Sequence, residues 1–217
     1  MRRIRNLSVV ILAAAGGVAA VWAVGGKTFR RLAPIRPIVS TRVVEPEQRL
    51  TPFQAHVVAD LRRQCESKIW YQDGYYTGGE PPAKIGVCTD VVIRSFRAGG
   101  IDLQKAVQAD IREHPGDYDV ARPDANIDHR RCRNLVVFFR RHARQLPVGD
   151  DAAWAPGDIV FWDTRSDGKV DHVGVIGNKM VQGNEPSVIH HWPGNYVAET
   201  DWLHQLPIMY HFRYAGG

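Results

Sequence analysis

The chain has 217 residues, enough for one sizeable domain, and its composition is that of an ordinary globular protein without low-complexity blocks or internal repeats. Its formal charge is +5, but residues 1–36 contain seven basic side chains and no acidic one. Subtracting these seven charges leaves −2 for the remainder, so the charge gives no case for nucleic-acid binding by the folded part.

The N-terminal segment has the pattern of a targeting sequence. Three arginines precede an uncharged apolar run from Leu7 to Gly26. This run is long for a signal-peptide core and just long enough to span a bilayer. We expect residues 1–32 to be a cleaved signal or an anchor in a bacterial inner membrane, with the rest of the chain periplasmic or secreted. A buried helix of the domain is the alternative, which the lack of any polar face disfavours.

The next segment predicts a linker followed by a first helix. Residues 33–52 are punctuated by prolines and show no hydrophobic period, so we predict a linker that leads to a domain spanning 53–217. Thr51-Pro52 is typical of a helix start, and an apolar stripe continues from there to Cys65. A loop rich in tyrosine and glycine follows, containing Tyr71, Tyr75, Tyr76 and Gly78-Gly79.

The stretch from Gly86 to Gly100 predicts a helix that begins near Cys88. Apolar or small residues occupy the positions three, four, seven and eight after this cysteine, which is one face of a helix, and a glycine pair supplies the stop signal. In the first helical turn, unpaired backbone N–H groups favour the thiolate, the nucleophilic form of cysteine. Asp90 is expected on the exposed face, paired with Arg94 one turn later.

The remaining elements predict helices followed by a sheet. Helical patterns cover Ile101 to Glu113 and Asn134 to Gln145, with a polar loop between them. Predicted strands then follow one another without intervening helices, at Asp158 to Trp162, Val170 to Ile176, Val188 to Trp192 and Ile208 to Tyr214. This order predicts an α+β fold with an antiparallel sheet.

Three histidines are candidates to act with the cysteine. Thiol hydrolysis needs an imidazole base and a third group that orients it. His172, predicted in the middle of a strand, is the best base, and a histidine that only fills the core is the alternative. His190 and His191 are adjacent on a strand and point to opposite faces, so at most one can join His172. Cys88, His172 and His190 could alternatively hold zinc, although no short metal-ligand spacing favours this.

Other polar residues have two interpretations each. His129, Arg130 and Arg131 could bind an anionic group of a substrate, such as a carboxylate, or form a solvated basic loop. Tyr75 and Tyr76 could line a groove or cap the core. Cys65 and Cys132 could form a structural disulfide that leaves Cys88 free, or remain separate thiols.

The motifs in this order resemble a known superfamily. YYTGG before a cysteine at a helix start, then PGDIVFW, DHVGVI and VIHH, resemble the NlpC-type superfamily of papain-like cell-wall peptidases. More closely, GVCTDVVIRSFRAGGIDLQKAV, RPDANIDHRRCRNLVVFFRRH and WAPGDIVFW resemble the bacterial family catalogued as domain of unknown function 1287. Two features depart from the superfamily pattern: Val-Cys-Thr-Asp replaces the usual Asp-Cys-Ser-Gly, and the insertion between the cysteine helix and the sheet is long.

The resemblance implies a papain-like fold and a Cys-His-His triad. Cys88 would be the nucleophile, His172 the base and His190 the orienting residue, with Tyr75 or Tyr76 near the thiolate. The implied activity is cleavage of an amide bond in peptidoglycan or its stem peptides by a monomer, with no metal or organic cofactor required. An acyltransferase or thioesterase with the same dyad, and a non-catalytic wall-binding module, are the alternatives.

Overall fold

A computed structural model of the chain describes residues 22–24, 27–29, 42–43, 50–149, 153–181 and 185–216. In the N-terminal unit, Met1–Ile35, strands β1 (Trp22–Val24) and β2 (Lys27–Phe29) form an antiparallel pair. The other elements belong to a second unit, Arg36–Gly217. Most of the predicted signal or anchor lies outside the described residues. No helix within the described ranges is long and apolar enough to cross a membrane.

The first helix of the second unit begins where the sequence predicts. Helix α1 (Pro52–Glu66) is capped by Thr51, whose hydroxyl accepts a hydrogen bond from the backbone N–H of Gln54 at 3.2 Å. The Gln54 side chain in turn accepts one from the backbone N–H of Thr51 at 2.9 Å. This reciprocal capping box satisfies donors that a helix start leaves unpaired. Two short parallel strands, β4 (Trp70–Tyr71) and β5 (Ile85–Gly86), follow.

Three more helices come before the sheet. They are α2 (Cys88–Ala98), α3 (Leu103–Glu113) and α4 (Cys132–His142), with short 3-10 helices at Pro115–Asp117 and Asp128–Arg130. Helix α3 begins later than predicted because the Asp102 carboxylate caps it, accepting a hydrogen bond from the Lys105 backbone at 3.1 Å. Helix α4 ends earlier than predicted because the residues after it join the sheet.

The sheet contains seven strands within the described residues. Six of them are β6 (Arg144–Leu146), β7 (Ile159–Trp162), β8 (His172–Met180), β9 (Pro186–His190), β10 (Ala198–Thr200) and β11 (Ile208–Arg213). They lie in the order β10-β9-β8-β7-β11-β6, and every neighbouring pair is antiparallel. The seventh, β3 (Arg42–Val43), pairs with the end of β8 and lies in the range predicted as a linker. The predicted combination of helices with an antiparallel sheet is confirmed.

Helix α2 is the central helix, packed between α1 and strand β8. Its Phe96 is fully buried and lies 5.4 Å, between ring centroids, from Phe139 of α4. Phe139 contacts Phe212 of β11 in the same way at 5.9 Å. Because truncating a fully buried phenylalanine costs about 3–5 kcal/mol, this cluster holds α2 firmly on the sheet. The packing brings the N-terminus of α2 to the beginning of β8.

Candidate active site

Cys88 lies where the N-termini of two helices meet. It is the first residue of α2, and its side chain is buried. Its Sγ lies 4.0 Å from the Sγ of Cys132, the first residue of α4. The positive end of each helix dipole favours a negative charge at this place. The predicted position of Cys88 in a first helical turn is confirmed.

The two neighbouring thiols have opposite acidities. A hydrogen bond from the Cys132 thiol lowers the pKa of Cys88 well below its ordinary value, and His172 and the Val173 backbone act in the same direction against the effect of burial. The same hydrogen bond, with burial and the charge of Cys88, raises the pKa of Cys132. Asp171 adds a further repulsion to a charge on Cys132. Cys88 is therefore the more acidic thiol of the pair.

Behind Cys88 a row of hydrogen bonds runs from His172 into the sheet. The Nε2 of His172 lies 2.8 Å from the Nδ1 of His190, and the Nε2 of His190 lies 3.0 Å from the Oγ1 of Thr200. The Thr200 hydroxyl donates to the backbone carbonyl of Val188 at 3.4 Å. His172 is the first residue of β8 rather than mid-strand, and His190 is the last residue of β9.

This network favours one arrangement of the imidazole protons. Because the single hydroxyl hydrogen of Thr200 goes to a carbonyl, its oxygen accepts the Nε2–H of His190. The Nδ1 of His190 then has no hydrogen and accepts the Nε2–H of His172. The Nδ1 of His172 is left with a free lone pair, which can take a proton from a thiol.

The histidine pair is enclosed by aromatic rings. His190 stacks on Trp202 with ring centroids 4.9 Å apart, and His172 meets Trp192 edge to face at 5.0 Å. Burial, followed by repulsion from His172, lowers the pKa of His190 well below its ordinary value. His190 is therefore neutral and suited to orient His172 rather than to act as a base itself.

Gly174 permits the close approach of strand β9. It pairs with His190 across the β8–β9 ladder. A Cβ at this position would lie 2.8 Å from a methyl carbon of Val188 and 3.0 Å from the Cβ of His190. The absence of a side chain at this glycine therefore leaves the space that His190 occupies.

His191 is directed away from this row, which decides between the two adjacent histidines. Its Nε2–H donates to the carbonyl of Asn195 at 3.2 Å, and its ring lies 5.1 Å from that of Tyr71. Burial is the main cause that lowers the pKa of His191, to about 4. His190, not His191, is the histidine that contacts His172.

The thiols line a cavity of about 300 Å³. Its walls also include a tyrosine and charged residues: Tyr71, Asp73, Arg130, Arg131, Arg133 and Asp171. Neither Tyr75 nor Tyr76 is among the lining residues. Tyr75 is 59% exposed and its hydroxyl donates to Asp124 at 3.1 Å, whereas the Tyr76 ring lies under the guanidinium of Arg130 at 5.1 Å. The tyrosine that faces the thiols is Tyr71.

Tyr71 was not singled out from the sequence. It is brought to Cys88 by the pairing of β4 with β5, in which Tyr71 lies opposite Gly86. Burial, followed by repulsion from the Cys88 thiolate, raises the pKa of Tyr71, so the hydroxyl keeps its proton and can donate it. The tyrosine-rich loop is visible in the sequence. A parallel strand of two residues is too short to show a hydrophobic period, so the sequence does not place Tyr71 on a strand.

Asp90 and Arg130 form a buried ion pair at the start of α2. The two guanidinium contacts to the carboxylate are 2.8 and 2.9 Å long, and both side chains are almost fully buried. Asp90 also accepts the backbone N–H of Val87 at 2.7 Å. The predicted exposed pair of Asp90 with Arg94 is wrong, because the carboxylate turns inward to cap the helix while Arg94 donates to the Ile85 carbonyl at 2.8 Å.

The basic loop is mostly engaged within the protein. His129 is buried, and its Nε2–H donates to the carbonyl of Gly79 at 3.2 Å. Besides Asp90, Arg130 donates to the carbonyl of Gly74 at 2.7 Å. The exposed cations on the cavity wall are Arg131 and Arg133.

All three cysteines have free thiols. The disulfide between Cys65 and Cys132 that the sequence left open is not formed, and the alternative of separate thiols holds. Burial, followed by repulsion from Glu199, raises the pKa of Cys65 to about 12. Among the described residues, no three acidic, histidine or cysteine side chains are arranged to hold a metal ion.

Comparison with known proteins identifies the family. The family model described as domain of unknown function 1287, or DUF1287, matches residues 58–214. The Escherichia coli protein YijF, described as uncharacterized, is 38% identical over 167 residues, which cover 72% of this chain and 80% of YijF. The chain belongs to the DUF1287 family. This confirms the family predicted from the sequence motifs.

One solved structure is similar to the DUF1287 chain in outline. It is that of NlpC1 from Trichomonas vaginalis, with a TM-score of 0.46 and 14% sequence identity. The match covers 98% of the DUF1287 chain and 60% of NlpC1, so the chain spans less than two thirds of that neighbour's length. A similarity at this level assigns neither a fold family nor an activity to the DUF1287 chain.

Proposed function

We propose that this DUF1287 protein is a thiol hydrolase that cleaves an amide bond in peptidoglycan or its stem peptides after export to the periplasm. The observation that carries the proposal is the hydrogen-bonded pair of His172 and His190 at 2.8 Å, placed beside the acidic thiol Cys88. A thiolate, a base with a free lone pair and a neutral orienting group are the parts of a cysteine hydrolase.

In the first half of the proposed reaction, Cys88 is acylated. The Nδ1 of His172 takes the thiol proton, and the thiolate sulfur attacks the carbonyl carbon of the amide. The backbone N–H of Cys88 and the hydroxyl of Tyr71 donate to the developing oxyanion. The intermediate then collapses, and the amine leaves with the proton returned by His172. The product is a thioester on Cys88.

In the second half, water releases the product. His172 takes a proton from the water as the water oxygen attacks the thioester carbon. His172 then gives this proton to the Cys88 sulfur as that sulfur leaves. A carboxylic acid is released and the thiol is restored. Throughout, His190 accepts the Nε2–H of His172, which keeps the free lone pair on the nitrogen that exchanges protons.

Two further observations support this proposal. A cysteine opening a helix that packs on an antiparallel sheet, with the base on an adjoining strand, is the arrangement expected of a papain-like fold. The cell-wall substrate is supported by the resemblance of the motifs to the NlpC-type superfamily and by the predicted export segment. Both the substrate and the location are parts of the proposal.

The test uses the full-length chain, purified in detergent, with peptidoglycan sacculi. The wild type, Cys88→Ala and His172→Ala would be incubated with sacculi, and the released fragments identified by mass spectrometry. Cys65→Ala is the matched control, since it removes a thiol that lies outside the cavity. We expect the wild type and Cys65→Ala to release the same fragments and the other two variants to release none.

The fragments also separate the alternatives. A new amine and a new carboxylate at one bond identify an amidase or endopeptidase and name the bond. Transfer of an acyl group without amide cleavage would instead identify an acyltransferase. Cosedimentation of the wild type and Cys88→Ala with sacculi, without fragments from either, would identify a wall-binding protein and overturn the proposal.

A further inference from the structure

Cys132 forms and breaks no covalent bond in the proposed hydrolysis, yet its sulfur is 4.0 Å from that of the nucleophile. Both thiols line the same cavity, so a small molecule that reaches one also reaches the other. Each is the first residue of a helix, and the residue before each helix has an extended backbone. The third cysteine, Cys65, is on α1 and does not line this cavity.

We propose that Cys132 is a resolving cysteine, which takes the nucleophile Cys88 into a reversible disulfide and so switches the active site off. The distance of 4.0 Å must shorten by about 2 Å to reach the length of a disulfide bond. Because both residues are at helix starts rather than in helix interiors, side-chain rotation needs little change elsewhere in either helix. The loss of hydrolysis on oxidation, but not the disulfide itself, rests on the proposed function.

The oxidant in this proposal is a small-molecule or protein disulfide. The Cys88 thiolate attacks one sulfur of that disulfide, forming a mixed disulfide and releasing the other sulfur as a thiolate. The Cys132 thiolate then attacks the Cys88 sulfur, forming the Cys88–Cys132 bond and releasing the second thiolate. Two protein thiols are oxidised and one external disulfide is reduced. The two protein thiol protons pass to the released thiolates.

The environment of the two thiols sets this order of events. Cys88 is the more acidic thiol of the reduced protein, and it therefore reacts first. The hydrogen bond between the two thiols, burial and the charge of Cys88, in that order, make Cys132 hard to ionise. The hydrogen bond and the charge disappear once Cys88 carries the mixed disulfide, so Cys132 becomes easier to ionise when it has to attack. The pair thus favours completion of the disulfide over a lasting adduct.

Oxidised and reduced glutathione are suitable probes for the full-length protein. The wild type, Cys132→Ala, Cys132→Ser and Cys65→Ala would be equilibrated in glutathione buffers of increasing oxidised fraction. Remaining thiols would be blocked with iodoacetamide after denaturation, and the peptides mapped by mass spectrometry. We expect a Cys88–Cys132 crosslink in the wild type and in Cys65→Ala. The two Cys132 variants should instead hold glutathione on Cys88.

The mapping does not depend on hydrolysis, so the two proposals fail separately. A crosslink in a protein that releases no fragments from sacculi would support the resolving cysteine and leave the hydrolase without support. In an active protein, we expect oxidation to abolish fragment release and dithiothreitol to restore it. A wild type that keeps glutathione on Cys88 while Cys132 stays free, or that crosslinks Cys65 instead, would overturn the resolving role.

Discussion

Protonation of His191 should be a leading cause of acid instability in this domain. Its ring is fully buried, and its Nδ1 has no hydrogen-bond partner among the described residues. A proton on that nitrogen would leave a buried charge and an unpaired donor, which explains why burial lowers the pKa to about 4. We predict that His191→Gln removes this sensitivity, because glutamine stays neutral and its amide can still donate to the Asn195 carbonyl.

The magnitude follows from the two pKa values. The folded-state pKa is about 4 and the ordinary value is 6.5, so the unfolded chain binds more protons between these pH values. The contribution of His191 to stability is therefore present above pH 6.5 and is lost as the pH falls to about 4. One pKa unit corresponds to about 1.4 kcal/mol, which gives a loss of about 3 kcal/mol in the free energy of unfolding at the lower end.

Urea denaturation followed by tryptophan fluorescence measures this loss. The wild type and His191→Gln would be unfolded at about pH 7.5 and about pH 4, and the change between the two values compared. His190 is present in both proteins, so its own titration contributes to the loss in each. We expect the wild type to lose about 3 kcal/mol more than the variant. His191→Phe, which cannot be protonated or donate to Asn195, should show the same reduced pH dependence at lower overall stability. Equal losses in all three proteins would refute the reasoning.

Three further predictions test the buried ion pair, the hydrogen-bonded row and the thiol acidities. Arg130→Met should lower the free energy of unfolding, measured in urea, by about 3–5 kcal/mol, because it leaves the Asp90 carboxylate buried without its partner. The double variant Asp90→Asn/Arg130→Met is the control, and a smaller loss in it would show that the cost comes from the unpaired charge. Thr200→Val should lower kcat for fragment release roughly tenfold with KM unchanged, and Thr200→Ser should restore it, since only the hydroxyl orients the histidine pair. At about pH 7, iodoacetamide should alkylate Cys88 in the folded protein and spare Cys65, because the pKa of Cys88 is lowered and that of Cys65 is raised. Peptide mapping would show which thiols are labelled, and equal labelling of both would contradict these shifts.

The elements that position Cys88 could be predicted from the sequence. Helix α2 has an apolar stripe on one face and a glycine pair at its end, and these local signals placed Cys88 in the first turn. The strands of the sheet were predicted for the same reason, since alternation and turn residues are also local. Short elements such as β4, β6 and β10 were missed because two or three residues do not establish a period.

The partners of the charged residues could not be predicted in this way. Helical spacing offered Arg94 as the partner of Asp90, but the carboxylate binds Arg130, forty residues along the chain. Strand alternation predicted that only one of His190 and His191 joins His172, and packing of β9 against β8 was needed to choose. Both decisions depend on tertiary contacts between segments distant in sequence, about which a local pattern carries no information.

Cys65 and Cys88 show how position decides the chemistry of identical side chains. Each lies on the apolar face of a helix, so the sequence pattern treats them alike. Cys65 is in the last turn of α1, where the carbonyl end of the helix and Glu199 oppose a negative charge. Cys88 is in the first turn of α2, beside a second helix N-terminus and His172. Burial disfavours the thiolate at both sites, and only at Cys88 do the surrounding dipoles and donors outweigh it. The acidity of a cysteine in this fold is thus set by the helix end on which it lies and by the strand that meets that end.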